Sequence, residues 1–136
     1  MANLTKLKIV TPYAQILEKD VYSVELKTSE GRITVLPDHN PLMSTIENHV
    51  AYIRELPNTP RKPLLLLDGI VYIEQHQVRV FSDYFKFLDE IQIDEINSSL
   101  NQLKHDLNNE EDDKKKLQLK SKIKLNESIL IAYKDR

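Results

Sequence analysis

Hydrophobic and polar residues alternate with a period of two in several short runs before residue 88. Leu7 and Ile9, for example, alternate with lysines. The same pattern recurs in four further runs: 21–26, 32–35, 49–52 and 77–80. Such alternation is typical of strands that bury one face, and prolines with other turn-forming residues separate the runs. Many short strands at this spacing predict an antiparallel β-sandwich.

One pair of apolar runs carries a stronger local signal. Residues 64–67 and 70–73 are apolar, and the dipeptide Asp68-Gly69 lies between them. Asp-Gly is a frequent sequence in tight hairpin turns, because both residues tolerate positive φ. We therefore predict that these two runs pair as an antiparallel hairpin.

The pattern changes after residue 87. All six prolines and both glycines precede this point, and their absence afterwards permits long helices. Ile96, Leu100, Leu103 and Leu107 are spaced as one apolar stripe of a helix. Asp94 is predicted to be the N-cap of this helix.

A second helix is predicted to follow a break at Asn108-Asn109. It begins in the acidic segment 110–113 and runs to about Tyr133, and lysines beyond its first turn suit the helix dipole. The chain is thus expected to have two domains, an antiparallel β-sandwich at 1–87 and an antiparallel two-helix hairpin at 88–136. Helices of this length are marginal alone in water, so the hairpin needs support from the sandwich, itself or a partner.

Composition limits the classes of function. The chain has 136 residues, enough for one ordinary domain or a small domain with an appendage. Its net charge of −2 argues against a nucleic-acid binder driven by overall basicity. It contains no cysteine, which excludes thiolate chemistry, and its two glycines are too few for glycine-rich nucleotide loops.

The sequence also bears on location. No stretch approaches the roughly 18 consecutive apolar residues of a membrane-spanning helix. The first residues lack the apolar core of a signal peptide. We therefore expect a cytosolic protein that associates with a membrane only through protein partners.

The residues alone offer little support for catalysis. No pair among the four histidines (His39, His49, His76, His105) has the spacing of a helical metal pair, so no metal site is predicted. Asp38 beside His39 is the best candidate for a base with an orienting carboxylate. No nucleophile elbow accompanies it, and nearby prolines indicate a rigid turn. The residues favour an interaction protein without a cofactor.

Several segments resemble the epsilon subunit of F-type ATP synthases. Residues 31–42, GRITVLPDHNPL, are similar to the family's G-E-L/F-G-I-L/Y-P-G-H-A-P-L. Residues 66–73 and 78–83 resemble two later family segments, and the segments 7–12 and 88–91 also fit. The resemblance covers essentially the whole chain. The family fold is an N-terminal β-sandwich followed by two helices, as the patterning predicts.

The sequence departs from the family at identifiable positions. Thr34, Asp38 and Asp68 stand where the family has glycine, and Arg32 stands where an acidic residue is common. Some bacterial members bind ATP through an [IL]-D-x-x-R-A motif at the first helix. Residues 93–98 read IDEINS, so the cation for the phosphates is missing and no bound ATP is predicted.

The resemblance implies a non-catalytic subunit in the central stalk of the proton-translocating complex. In the family, the sandwich connects the foot of the gamma shaft to the ring of c subunits, so that torque passes between them. The implied location is the cytoplasmic face of the bacterial cell membrane, reached through partners. The implied contact surface for ring and shaft comprises five residues: Arg32, Asp38, His39, Asn40 and Pro41.

The resemblance also implies that the helical hairpin acts as a regulatory arm. In the family, the arm extends along the shaft into the head of alpha and beta subunits and inhibits ATP hydrolysis. Basic side chains of the second helix then meet an acidic segment of the beta subunits. The candidates in this chain are six lysines: Lys114, Lys115, Lys116, Lys120, Lys122 and Lys124. Without the resemblance, these lysines indicate a solvated helix face.

Two other functions stay open. The first is the equivalent subunit of a diverged rotary ATPase without a proton channel, which Arg32 and the lost glycines near the expected ring contact suggest. The partners that co-purify with the chain distinguish this function from that of a subunit of the proton-translocating complex. The second is a small hydrolase that uses Asp38 and His39, and a His39→Ala variant tests it.

Overall fold

The computed structural model describes residues 3–135. Ten β-strands precede a 3₁₀ turn (Leu88–Glu90) and two helices, α1 (Ile93–Asn109) and α2 (Asp113–Lys134). The strands are β1 (Thr5–Val10), β2 (Ile16–Val21), β3 (Ser23–Thr28), β4 (Gly31–Val35), β5 (Leu42–Ile46), β6 (His49–Arg54), β7 (Lys62–Leu66), β8 (Gly69–Ile73), β9 (Gln77–Ser82) and β10 (Phe85–Phe87). This order confirms the predicted β-sandwich followed by a helical hairpin.

The strands form one hydrogen-bonded path that curls into two layers. The first, which we call the arm-side layer, has the order β10-β7-β6-β3-β4. The second, the open layer, has the order β5-β8-β9-β1-β2. A single residue pair, Thr28 with Ile46, joins β3 to β5 and so links the layers. Strands β1 and β9 run parallel, whereas the other paired strands within residues 3–135 are antiparallel.

The space between the layers is filled by the alternating apolar positions. Leu7 and Ile9 of β1 are fully buried, whereas Lys6 beside them faces solvent. Val24 and Leu26 of β3 are buried in the same core from the other layer. Burying one such aliphatic side chain contributes about 1.5–3 kcal/mol. The alternation in the sequence is thus a main source of the stability of the sandwich.

The predicted hairpin at Asp68-Gly69 is wrong. Strand β7 pairs with β6 and β10 in the arm-side layer, whereas β8 pairs with β5 and β9 in the open layer. The dipeptide therefore carries the chain from one layer to the other. Glycine is required at position 69 because a Cβ there would overlap the backbone carbonyl of Phe81.

Helices α1 and α2 pack against each other as a hairpin, which we call the helical arm. Asp94 is not the N-cap of α1, contrary to the prediction. Gln92 occupies that position without a side-chain hydrogen bond, and Asp94 lies in the first turn, where its charge suits the helix dipole. Helix α2 is capped by Asp112, whose carboxylate accepts a hydrogen bond from the N–H of Lys114 at 3.3 Å.

The C-terminal part of α2 packs on the outer face of the arm-side layer. Ile129 and Ala132 are buried against a small apolar surface formed by Val50, Leu65 and Leu67, which we call the arm seat. Strands β6 and β7 are therefore buried on both faces. Alternation in β6 predicts one buried face, and the helical arm covers the other.

Candidate interaction surfaces

The loop between β4 and β5 forms one end of the sandwich. It brings together four of the predicted contact residues: Asp38, His39, Asn40 and Pro41. Asp38 has a φ of 63°, a left-handed conformation that side chains with a Cβ rarely adopt but that aspartate tolerates better than most. The loop thus has a specific, constrained shape.

Asp38 is tied to the turn between β8 and β9. Its Oδ1 lies 3.3 Å from Nδ1 of His76, and the carbonyl of His76 accepts a hydrogen bond of 3.1 Å from the N–H of Lys6. His39 instead places Nδ1 2.6 Å from the carbonyl oxygen of Asn40. Asp38 therefore does not orient His39, and the side-chain arrangement expected for a hydrolase is not formed.

This end of the sandwich is larger than the sequence predicts. Leu36 and Leu42 flank the loop and are 44% and 37% exposed, and Leu4 before β1 is 38% exposed. The side chain of His76 is 75% exposed. We call residues 36–42 together with Leu4 and His76 the loop end. Sequence reasoning missed His76 because only the pairing of distant strands brings it beside Asp38.

Arg32 lies apart from the other predicted contact residues. It pairs in register with Lys27 beside the β3–β4 turn. Asp38 follows the opposite end of β4. The structure thus separates the predicted surface into the loop end and a basic site at the other end of this strand.

His49 is buried near this basic site. Its Nδ1 lies 2.5 Å from the carbonyl oxygen of Glu47, and Nε2 has no hydrogen-bond partner among residues 3–135. Burial lowers the pKa of His49, the Glu47 carbonyl partly opposes this, and the positive charges of Arg32 and Lys27 lower the pKa further. His49 is therefore a neutral core residue at pH 7.

The outer face of the open layer carries large apolar residues without a cover. One residue from each of five adjacent strands stands in a row across this face: Thr45, Ile70, Phe81, Val10 and Ile16. Ile16 is 61% exposed and Phe81 is 44% exposed. Four of these five residues are apolar, so the row presents apolar surface to solvent from β8 to β2.

A second row, two residues further along the strands, extends this surface. Met43 pairs with Tyr72, and Tyr72 pairs with Arg79. The rings of Tyr72 and Phe81 meet edge to face with centroids 5.7 Å apart, and the Arg79 guanidinium lies 5.5 Å from the Tyr72 ring. We call Ile16, Met43, Ile70, Tyr72 and Phe81 the apolar band. Contiguous exposed apolar surface of this kind marks an interaction site.

The six predicted lysines all belong to α2 but do not share one face. Lys116, Lys120 and Lys124 are four residues apart and follow one side of the helix. Lys115 and Lys122 are seven residues apart and follow another side. A partner on one side of α2 therefore meets only a subset of these lysines at once.

Two further properties concern residues 3–135 as a whole. None of the helices there has the length and apolar character needed to cross a membrane. The side chains of that region also form no group of three or more His, Asp or Glu able to hold a metal ion.

Comparison with known proteins places the sandwich and the whole chain in one family. Residues 4–87 match the family described as ATP synthase, Delta/Epsilon chain, beta-sandwich domain. The ATP synthase epsilon chain of Ureaplasma urealyticum serovar 10 is 92% identical over 136 residues, which cover 100% of both chains.

Two solved structures share the fold. A chain in the cryo-EM structure of the Euglena gracilis mitochondrial ATP synthase, OSCP/F1/c-ring in rotational state 1, has a TM-score of 0.63 and 13% identity, covering 96% of this chain and 82% of that one. A chain in the central stalk/c-ring structure of the Tetrahymena thermophila mitochondrial ATP synthase has a TM-score of 0.51 and 15% identity, covering 68% and 69%.

These two likenesses concern the fold, whereas the family match and the full-length identity concern the sequence itself. All of them agree with the predicted architecture. The chain therefore belongs to the family of ATP synthase epsilon chains, the non-catalytic accessory subunits of that complex.

Proposed function

We propose that this subunit couples the gamma shaft to the c ring of an F-type, proton-translocating ATP synthase, and that its helical arm inhibits ATP hydrolysis. The apolar band carries the proposal. The sandwich buries most of its other apolar strand residues between the layers or under the arm, and Leu42 of the loop end is an exception at 37% exposure. An apolar sheet face left open in such a molecule is best explained by a protein that covers it.

The partner that we assign to the apolar band is the gamma shaft. Five strands spaced by about 4.8 Å give a face about 20 Å wide, enough to accept the side of a helical shaft. Arg79 and Glu74, paired at 2.7 Å, lie at the margin of the band and supply the polar rim that protein interfaces commonly have. The fold shared with a chain from a central stalk/c-ring structure is consistent with this partner.

The partner that we assign to the loop end is the c ring. Asp38, His39 and Asn40 offer polar groups, and Leu36 and Leu42 add apolar area beside them. The contact between Asp38 and His76 joins two separate turns. The contact makes the loop end one continuous surface, although an exposed pair of this kind contributes only about 0–1 kcal/mol. Contact with the ring also places the subunit at the cytoplasmic face of the bacterial membrane.

The inhibitory role that we assign to the arm depends on its release from the arm seat. Of the residues of α2, Ile129 and Ala132 are buried, so the seat holds the arm through a small area. Lysines along one side of α2 would then face the acidic segment of a beta subunit. Exposed ion pairs contribute about 0–1 kcal/mol each. Several together are therefore needed to offset the contacts that the arm loses when it leaves the arm seat.

The assignment of the shaft is tested with Phe81→Asp in the full subunit, expressed with the rest of its complex. The charge disrupts the apolar band, so we expect the variant to fold but to lose gamma when it is purified. Leu56→Asp is the matched control, since Leu56 is 45% exposed and lies between β6 and β7, outside the band. Retention of gamma by both variants at wild-type levels would refute the assignment.

The assignment of the ring is tested by native co-purification from gently solubilised cells. We expect alpha, beta and gamma subunits together with the c ring. A His39→Ala, Asn40→Ala double variant should keep gamma and lose coupling between proton flow and hydrolysis. Recovery of the head without a ring supports instead the subunit of a diverged rotary ATPase.

The inhibitory role is tested by replacing Lys116, Lys120 and Lys124 with glutamine in the assembled complex. We expect ATP hydrolysis to rise, because this side of α2 loses its positive charge. Replacing Lys62 of β7 with glutamine is the control, since this lysine belongs to the arm-side layer and lies outside both the helical arm and the apolar band. Equal hydrolysis by all three complexes would show that the lysines do not support inhibition.

A further inference from the structure

A groove of about 860 Å³ separates the middle of α2 from one end of the sandwich. Leu67 of the arm seat and Leu125 of α2 lie at its base, and Tyr13 of the β1–β2 turn stands at its rim. The groove exists because α2 rests on the arm seat only through its C-terminal part. The N-terminal half of α2 is supported by α1.

Opposite charges line the two walls of this groove. Asp68 and Asp83 stand on the sandwich, and they are held side by side by a hydrogen bond of 3.1 Å from the N–H of Asp83 to the carbonyl of Asp68. Lys122 and Lys124 stand on α2. None of these four side chains has an ion-pair partner among residues 3–135. Two carboxylates thus face two ammonium groups across an open space.

We propose that the docked arm has a second, closed position in which Lys122 and Lys124 pair with Asp68 and Asp83. The arm pivots about the arm seat, so that Ile129 and Ala132 stay in place while the N-terminal half of α2 approaches the sandwich. Closure also covers the apolar base of the groove. This position belongs to the docked arm and does not depend on whether the released arm inhibits hydrolysis.

The energetic scale of the ion pairs sets how far they shift the arm towards the closed position. Exposed ion pairs are individually weak, and two acting together shift such an equilibrium by about fivefold. Attraction across the groove is screened by salt, since the Debye length falls from about 14 Å at 0.05 M to about 4 Å at 0.5 M. The closed position is therefore favoured at low ionic strength and opened by salt.

Disulfide trapping in the full chain tests the closed position. The natural chain contains no cysteine, so Tyr13→Cys and Ser121→Cys introduce a single pair on opposite walls of the groove. Both substitutions leave the four charges intact. We expect the disulfide to form about fivefold faster at low than at high salt.

Charge reversal identifies the groups responsible. Asp68→Lys with Asp83→Lys, or Lys122→Glu with Lys124→Glu, should each slow the disulfide at low salt, and the fourfold swap should restore it. Lys115→Glu with Lys120→Glu is the control, since neither residue lines this groove, and it should leave the rate unchanged. Thermal melts confirm that each variant is folded. The proposal would be overturned if the rate of disulfide formation were the same at low and high salt and the same in the charge-reversal variants.

Discussion

The carboxylate of Asp38 lies 3.3 Å from Nδ1 of His76, although the two residues stand in different turns of the chain. The contact joins the β4–β5 loop to the β8–β9 turn. Asp38 thus makes a side-chain contact with a distant turn while its backbone has a positive φ of 63°. The loop end is accordingly a single braced surface assembled from two turns.

Replacing Gly69 with alanine is expected to destabilise the sandwich. The new Cβ would collide with the carbonyl of Phe81, and because that atom belongs to the backbone, β8 and β9 must move apart. Such overpacking typically costs about 1–3 kcal/mol. Urea denaturation measures this loss as a lower midpoint. Thr45→Ala, on the exposed face of the neighbouring strand, serves as the comparison, and an equal midpoint for both variants would contradict this account of Gly69.

The stability of the chain is expected to fall in mild acid through His49. Burial keeps the pKa of folded His49 below its value in the unfolded chain, so the unfolded state binds the proton first. The contribution of His49 to stability is therefore constant well above pH 6.5, and below that pH it falls by at most about 1.4 kcal/mol per pH unit.

Unfolding free energies measured between pH 7.5 and 5 reveal this slope, and His49→Gln should flatten it. His105→Gln is the control, since His105 is exposed on α1. If the wild type and His49→Gln share the same slope, another group is responsible.

Release of the arm is expected from Ala132→Arg. Ala132 is buried against the arm seat at 1% exposure, and the adjacent Ile131 is 66% exposed. An arginine at position 132 cannot fit under α2, so the arm leaves the seat and, because isolated helices are marginal in water, frays. Trypsin should then cleave α2 at least about tenfold faster.

Ile131→Arg is a closely matched control, because it adds the same cleavage site one residue earlier. Its cleavage should stay at the wild-type rate. Equal digestion of the two arginine variants would mean that the arm is not held by Ala132 and its neighbours.

The two acidic residues near the helix starts are expected to differ in importance. Asp112→Ala removes the side-chain cap of α2 and should cost about 1 kcal/mol of arm stability. Asp94→Ala removes only a favourable charge in the first turn of α1, worth about 0.3–1 kcal/mol at low salt and less when salt screens it. Circular dichroism melts at high salt separate the two. A larger loss of stability in Asp94→Ala than in Asp112→Ala would show that Asp94 acts as the N-cap of α1.

Local patterning identifies most of the fold because strands and helices bury apolar residues at different periods. It predicts the strands around Leu7, Val24 and Val78 and the apolar stripe of α1 that contains Leu100. It fails at Asp68-Gly69, because a turn sequence does not specify whether the next strand pairs with the last one or crosses to another layer. Strand neighbours are set by contacts distant in sequence.

The same limit applies to the candidate surfaces. The loop containing His39 is visible in the sequence, since prolines and a family motif mark it. His76, which contacts Asp38 of this loop, and the apolar band can be identified only when the order of the strands is known. Arg32 is close to His39 in sequence, yet β4 separates them in space. Proximity along the chain is thus a poor guide to a shared surface in a sandwich.

The parallel pairing of β1 with β9 has a consequence for how the chain matures on the ribosome. β1 is made first, but it lacks its neighbour in the open layer until β9 has been translated, and such long-range pairing slows folding. Both the arm seat and the apolar band are built entirely from residues that precede α1. A nascent chain therefore carries every residue of the apolar band and of the arm seat before either helix has been translated.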